Sequence, residues 1–423
     1  MPASLVRKIL LCLLIAAPAV AFRITGFAPN PVVDLLVFGA AVVAASFMLA
    51  WAAEAAQKDI SGALAIALLA LIAVLPEYAV DLYYAFRSGS DPAYEQFAAA
   101  NMTGSNRLLL GFGWPLVVFV ALAVMRRAAK RRGDGGKALP RVLQLPGSTR
   151  IDIGVLAIVA LLAFIIPLMG TITMWVGIVL IAIFAAYLWR AGRVQDDDAH
   201  SDGTDEFVGT AALIAGMAQR PRRITVIAMF LASAAIILSS AEPFATALVD
   251  SGSALGVDSY FLVQWLAPLA SEAPEFIIAV LFAMRGMGAA AIGTLIASKI
   301  NQWTLLVGSL PIAHFFGGGG ADLALDARQV EEFVLTATQT VLGVAIIVSL
   351  RFHRWSAFAL VGLFALQFFV TDTTGRYLLS AVHLAVAIIA LVINRRDILP
   401  TLAAPFRRMS APEPERELVS SDR

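Results

Sequence analysis

Long apolar stretches separated by short polar or charged turns fill most of the chain. They run at roughly 5–22, 31–52, 60–87, 95–125, 152–169, 171–190, 223–249, 257–285, 287–313, 330–350, 354–371 and 376–395. Most approach the ~20 residues that a helix needs to cross a hydrocarbon core. They do not alternate apolar and polar positions, as the strands of a membrane barrel must. The pattern predicts an all-α membrane protein with eleven or twelve transmembrane helices. The number turns on the first stretch, in which Arg7 and Lys8 precede an apolar run ending in Ala19-Val20-Ala21. That layout fits a first span and a cleavable signal peptide equally well.

Charge placement orients the spans. Arg126, Arg127, Lys130, Arg131, Arg132, Lys137 and Arg141 follow the fourth stretch, and Arg190 and Arg193 follow the sixth. Arg220, Arg222 and Arg223 come next, then Arg351 and Arg354, then Arg395, Arg396, Arg407 and Arg408. All fall on one side if every stretch crosses. Short cytoplasmic loops are the ones enriched in Lys and Arg. The expected placement is therefore a multi-pass protein of the cell (inner) membrane with its C-terminus in the cytosol.

Composition agrees, with 60% hydrophobic and 14% charged residues and a mean hydropathy of +0.82. The net charge of +1 says little about partners, and no nucleic-acid partner is expected. The single cysteine, Cys12, forms no internal disulfide or thiolate site. His200, His314, His353 and His383 lack ligand spacing, so loop or helix-end positions are expected for them. No G-x-x-x-x-G-K-[ST] occurs, which argues against ATP-driven pumping. The expected partners are membrane lipid and inorganic cations, with no permanently bound cofactor and no enzymatic activity.

A proline–glutamate pair lies inside an apolar stretch twice. LPEYAVDLYYAF is followed by AAANMTGSN, and APEFIIAVLFAM by GTLIASKIN. Each pair sets a carboxylate, Glu77 or Glu275, where a bilayer normally excludes charge, which marks a functional site. By the loop charges the two carrier spans run in opposite directions, so the copies form inverted repeats of five helices each. The expected divisions are an N-terminal extra helix or signal-like segment (1–30), a first repeat (31–190), a cytoplasmic linker (191–222), a second repeat (223–371), and an extra helix with a disordered tail (372–423). The linker contains an apolar patch, FVGTAALIAGMA, readable as a surface helix or as plain connection.

Pro76 and Pro274 each lack an N–H and crowd the carbonyl one turn back, at Ile72 and Ala270. Freed carbonyls beside carboxylates are hard ligands suited to calcium or sodium. Asp81 shares a helix face with Glu77, and Glu272 shares one with Glu275. The antiparallel directions put Asp81 roughly 6 Å, and Glu272 roughly 4–5 Å, to the outer side of the paired glutamates at about 1.5 Å per residue. A central site with an outward-leaning approach is expected, although either extra acid could instead pair with a nearby base. The following spans add Asn101, Thr103, Ser105 and Asn106 in one copy, and Thr294, Ser298, Lys299, Asn301 and Gln302 in the other. Gly104, Gly293 and Ala297 leave room for close helix approach.

These motifs resemble the cation/calcium exchanger superfamily, whose repeats carry Thr-Ser-x-Pro-Glu followed by Gly-Asn-x-x-Gly-Ser-Asn or Asp. Leu75-Pro76-Glu77 and Ala273-Pro274-Glu275 match the first part. Asn101 with Gly104-Ser105-Asn106 matches the second, and Gly293 with Ser298 matches it more weakly. The resemblance implies a ten-helix core in which Glu77 and Glu275 coordinate calcium. Ala73, Val74 and Glu272 stand where the family offers hydroxyls, Thr294 stands for an asparagine, and Lys299 for the terminal asparagine or aspartate. Fewer sodium sites are expected, with the Lys299 ammonium in a cation's place, held by Glu272 or Glu275. The alternative is that Lys299 snorkels to the interface.

The resulting expectation is a secondary antiporter exchanging Ca2+, or a similar cation, for Na+ or H+. The site set is Glu77, Glu275, Asp81, Glu272, Asn101, Asn106, Ser105, Thr294 and Ser298, with Lys299 as the coupling charge. A cation channel and a degenerate family member with altered ion specificity are the competing readings.

Overall fold

A computed structural model describes residues 2–59, 75–131, 140–198, 207 and 209–407, with the backbone alone for 192–198. Outside these fall the first part of the third predicted span, including Ile72, Ala73 and Val74. Arg132, Lys137, His200, part of the acidic stretch in the linker and the C-terminal tail fall outside them too.

The apolar stretches become helices. They are α1 (Ala3–Thr25), α2 (Pro31–Ala56), α3 (Leu75–Ser88), α4 (100–131), α5 (Thr149–Met169) and α6 (Met174–Asp198). After a short α7 (Gly209–Ala215) come α8 (Gln219–Leu255), α9 (Ser259–Met284), α10 (288–316), α11 (Ala327–Ile347), α12 (Arg354–Leu366) and α13 (Thr373–Ile393), with α14 (Arg395–Ala403) at the end. Nine helices among the described residues are long and apolar enough to cross a membrane. The remaining predicted spans are α3, α10 and the short apolar α12. Local chemistry sets the ends. Asn30 accepts from Val33 N and Pro31 follows it at the start of α2, while Asp326 and Gln329 form a reciprocal capping box on α11, satisfying donors that a helix start leaves unpaired.

Two features display the inverted repeat. Strand β1 (Val142–Gln144) follows α4 and pairs antiparallel with β4 (Arg351–His353), which lies between α11 and α12. Strand β2 (Thr171–Thr173), between α5 and α6, pairs with β3 (Asp322–Ala324), between α10 and α11. The third-to-fourth connection of each half thus meets the fourth-to-fifth connection of the other, once at each end of the bundle. A two-fold axis lying across the helices produces that reciprocal pairing. The second feature is a π-turn in the third helix of each half, Leu109–Gly113 in α4 and Gln302–Leu306 in α10. Each opens four residues after a motif serine, Ser105 or Ser298.

The first helices of the two halves, α2 and α8, share the most extensive helix contact. A core containing Trp114, Trp303 and Phe333 ties α4 to α10 and α11. The linker patch forms α7, which packs near α2 and α8. There Arg222 grips Asp59 through two bonds of 2.6 and 2.7 Å and donates to the carbonyls of Ala215 and Met217.

Candidate cation site

Glu77 on α3 and Glu272 and Glu275 on α9 converge where α4 and α10 cross them. Gly104 makes the crossing possible: a Cβ there would collide with the Gln264 carbonyl of α9. Pro268, four residues on, has no N–H to claim that carbonyl. Beside it Gln264 Nε2 donates to Thr103 Oγ1 at 3.3 Å. Gly293, expected to play a similar part in α10, has open space at its Cβ position instead.

The Glu275 carboxylate accepts from Ser298 Oγ at 3.0 Å. Glu272 Oε1 accepts from Gln302 Nε2 at 2.6 Å, and Tyr78 donates its hydroxyl to Asn301 Oδ1 at 3.1 Å. Glu77 repels Glu275, and both repel Glu272. Three carboxylates so close together repel one another, and a cation among them would relieve that repulsion.

Among the described residues, the buried polar atoms near the crossing that have no hydrogen-bond partner include Glu77 Oε1, Glu272 Oε2 and Ser105 Oγ. Both Asp81 carboxylate oxygens and both polar atoms of the Asn101 amide also lack one at hydrogen-bond geometry, although these two side chains are close enough to interact with each other. Ser105 is close enough to interact with Glu77 and Glu272, yet its hydroxyl engages neither at hydrogen-bond geometry. Orphaned buried oxygens are rare in proteins, and a hard, oxygen-seeking cation is the ligand that satisfies such a set. The acids do not make one shell, however. Among the described residues no three His, Cys, Asp or Glu side chains are grouped to hold a metal ion. Hydroxyl, amide and backbone oxygens are the further ligands that a cation at the crossing would find beside the carboxylates.

Lys299 departs from expectation in a useful way. Its ammonium is fully buried, which excludes snorkelling to the interface. Its bonds go to the Asn106 carbonyl and to Asn106 Oδ1, both at 2.9 Å, and not to Glu272 or Glu275. Asn106 and Lys299 are the residues that follow Ser105 and Ser298, so equivalent positions of the two halves meet at the pseudo-two-fold axis.

Burial among the described site residues is uneven. Asp81, Asn101, Glu272 and Gln302 are buried, Glu275 and Ser298 are half-buried, and Thr294 is exposed. The exposed residues lie toward the β1–β4 end, where Gly288 approaches Leu143. The outward-leaning approach is thus closed in this conformation. At the β2–β3 end Ser88 Oγ and His314 Nδ1 are 2.8 Å apart, and Gly89 and Gly317 allow the segments after α3 and α10 to touch. Thr294 donates its hydroxyl to Ala291 of its own helix at 2.8 Å and contributes nothing to the crossing.

A second buried charge cluster escaped sequence reasoning. Arg107 pairs with Glu332 at 2.5 Å, and Arg376 of α13 binds Glu331 at 2.8 Å and also Glu332. His383, expected in a loop or at a helix end, is buried within α13. Ionisable residues inside apolar stretches were the available signal, but neither Arg107 nor Glu332 recurs in the other repeat.

A model of the sodium/calcium exchanger protein family matches residues 31–192 and 225–371. The crystal structure of the H+/Ca2+ exchanger CAX is 34% identical in sequence, covering 96% of this chain and 98% of that one, with a TM-score of 0.86. Native YfkE, 14% identical, covers 90% of this chain and 98% of its own with a TM-score of 0.56. The sodium-calcium exchanger NCX_Mj, 15% identical, covers 82% and 100% with a TM-score of 0.52. The last two likenesses concern the fold alone. None of the curated proteins compared with the chain matches it.

Proposed function

The chain belongs to the sodium/calcium exchanger protein family, and on that premise we propose that it is a secondary antiporter exchanging Ca2+ for protons across the cell membrane. Glu77 and Glu275 hold the cation between the two repeats, with Ser105, Ser298 and neighbouring oxygens completing its shell. Asp81 and Asn101 line the closed side of the path. Cation and protons are alternative ways to neutralise the same repelling carboxylates, so binding one releases the other. Alternating access exposes the crossing to each side in turn. The basic β1–β4 end and the C-terminus face the cytosol by the charge bias of the loops. The repeats are 31–190 and 223–371, in keeping with the reciprocal strand pairs.

The observation that carries the choice of proton is the Lys299–Asn106 pair. A tethered ammonium takes two oxygens, at 2.9 Å each, that a sodium ion would otherwise use. The relative at 34% identity is an H+/Ca2+ exchanger, which supports the same choice. A channel reading fits less well, because the acids are sealed from one end and form no ring around an open pore.

The test is uptake of labelled calcium into proteoliposomes under an imposed pH or sodium gradient. A pH gradient should drive uptake and a sodium gradient should not, and Glu77→Gln or Glu275→Gln should abolish it. Lys299→Asn should introduce sodium dependence. Uptake that survives both glutamate substitutions would discard the site.

A further inference from the structure

The buried cluster of Arg107, Glu331, Glu332 and Arg376 is not used by the exchange scheme above, yet it abuts the site. Arg107 directly follows Asn106, the residue that holds Lys299. Its guanidinium lies 5.0 Å from the ring centre of Trp265 on α9, two helical turns before Glu272. It also donates to Gln367 Oε1 at 3.1 Å and to its own helix at Thr103 O. Glu332 balances it at 2.5 Å, and Arg376 in turn binds Glu332 and Glu331. All four side chains are buried or nearly so. Two positive and two negative charges leave the cluster neutral. Its outer member is borne by α13, which lies beyond the residues that the family model matches.

We propose that Glu332 and Arg376 set the cation affinity of the Glu77–Glu275 site by balancing the charge of Arg107. The physical ground is the low dielectric of the interior, where a unit charge acts over distances that water would screen. Arg107 is joined to Asn106, whose two oxygens hold Lys299 at 2.9 Å each, and its guanidinium packs on Trp265 of the helix that carries Glu272 and Glu275, so its charge lies beside the crossing. Removing a negative member leaves an unbalanced positive charge beside the site and repels a divalent cation. Removing Arg376 leaves an unbalanced negative charge and attracts one. The two changes therefore act in opposite directions, whereas lost packing would weaken binding in both.

The proposal rests on Ca2+ binding at Glu77 and Glu275 but not on the counter-ion. The test is accordingly equilibrium binding of labelled calcium to the purified full chain, without a gradient. Glu332→Gln should weaken binding several-fold and Arg376→Gln should tighten it several-fold. Arg376→Lys, which keeps the charge, should remain close to wild type, and the double variant Glu332→Gln/Arg376→Gln should return toward it. If Glu332→Gln is not recovered folded, Glu331→Gln removes the same charge while leaving the Arg107–Glu332 pair intact, and should also weaken binding. Weakening by both single substitutions, or an Arg376→Lys variant that behaves like Arg376→Gln, would overturn the proposal. Glu77→Gln tests the site assignment separately: calcium binding retained in that variant discards the site, whereas binding lost in it while Glu332→Gln and Arg376→Gln both weaken binding discards the charge balance alone.

Discussion

Each buried carboxylate at the crossing depends on very few donors. Glu272 Oε1 has a donor in Gln302 at 2.6 Å, while its second oxygen has none among the described residues. Gln302→Leu removes that donor and leaves a buried carboxylate less satisfied, at a cost of about 1–3 kcal/mol. Thermal unfolding of the purified protein should show the loss, with calcium recovering part of it as the cation supplies the missing partner. The paired glutamates were readable from the chain because a charge inside an apolar run stands out locally. The partner of Lys299 was not, since Asn106 lies 193 positions away and the choice among Asn106, Glu272 and Glu275 depends on how α4, α9 and α10 are turned about their axes.

Helix pairs carry the next level of constraint. Gly104→Ala would drive a methyl into the Gln264 carbonyl and push α4 from α9, an overpacking cost of about 1–3 kcal/mol. Gly293→Ala, with open space around it, should stay within about 0.5 kcal/mol of wild type; melting temperatures of the two variants compare them directly. At the junction between the halves, the Arg222 guanidinium holds the Asp59 carboxyl below its ordinary value. A carboxylate whose value is lowered by folding contributes stability above its unfolded value, about 3.9, and loses that contribution only as the pH falls further. Asp59→Asn should therefore lower the melting temperature at pH 7, with the difference from wild type shrinking only well below pH 4. Small residues suggested close approach at both Gly104 and Gly293, and only packing between helices distinguishes the two.

At the scale of the whole molecule, the two halves interlock through β1–β4 at one end and β2–β3 at the other, with the proposed cation site between them. The exposure of Thr294 toward the β1–β4 end, against the burial of Asp81 and Asn101, gives a labelling experiment in a Cys12→Ala background, Cys12 being the only cysteine. Thr294→Cys should react with a membrane-impermeant thiol reagent added from the basic side, while Asn101→Cys should be protected from both sides; reaction of Asn101→Cys from the opposite side alone would reverse the assigned opening. The sequence by itself determined the helical membrane class, the inverted order of the repeats and the carboxylates at their centre. Hydrocarbon thickness, loop charge and the exclusion of ions from lipid all act along one dimension and leave marks in order. Only the tertiary structure decided that Lys299 faces Asn106, that three-residue strands join opposite halves, that the approach by Asp81 is closed, and that Arg107 and Arg376 meet on Glu332 of α11. Those outcomes depend on the rotation and contact of helices far apart in the chain, which a local pattern does not encode.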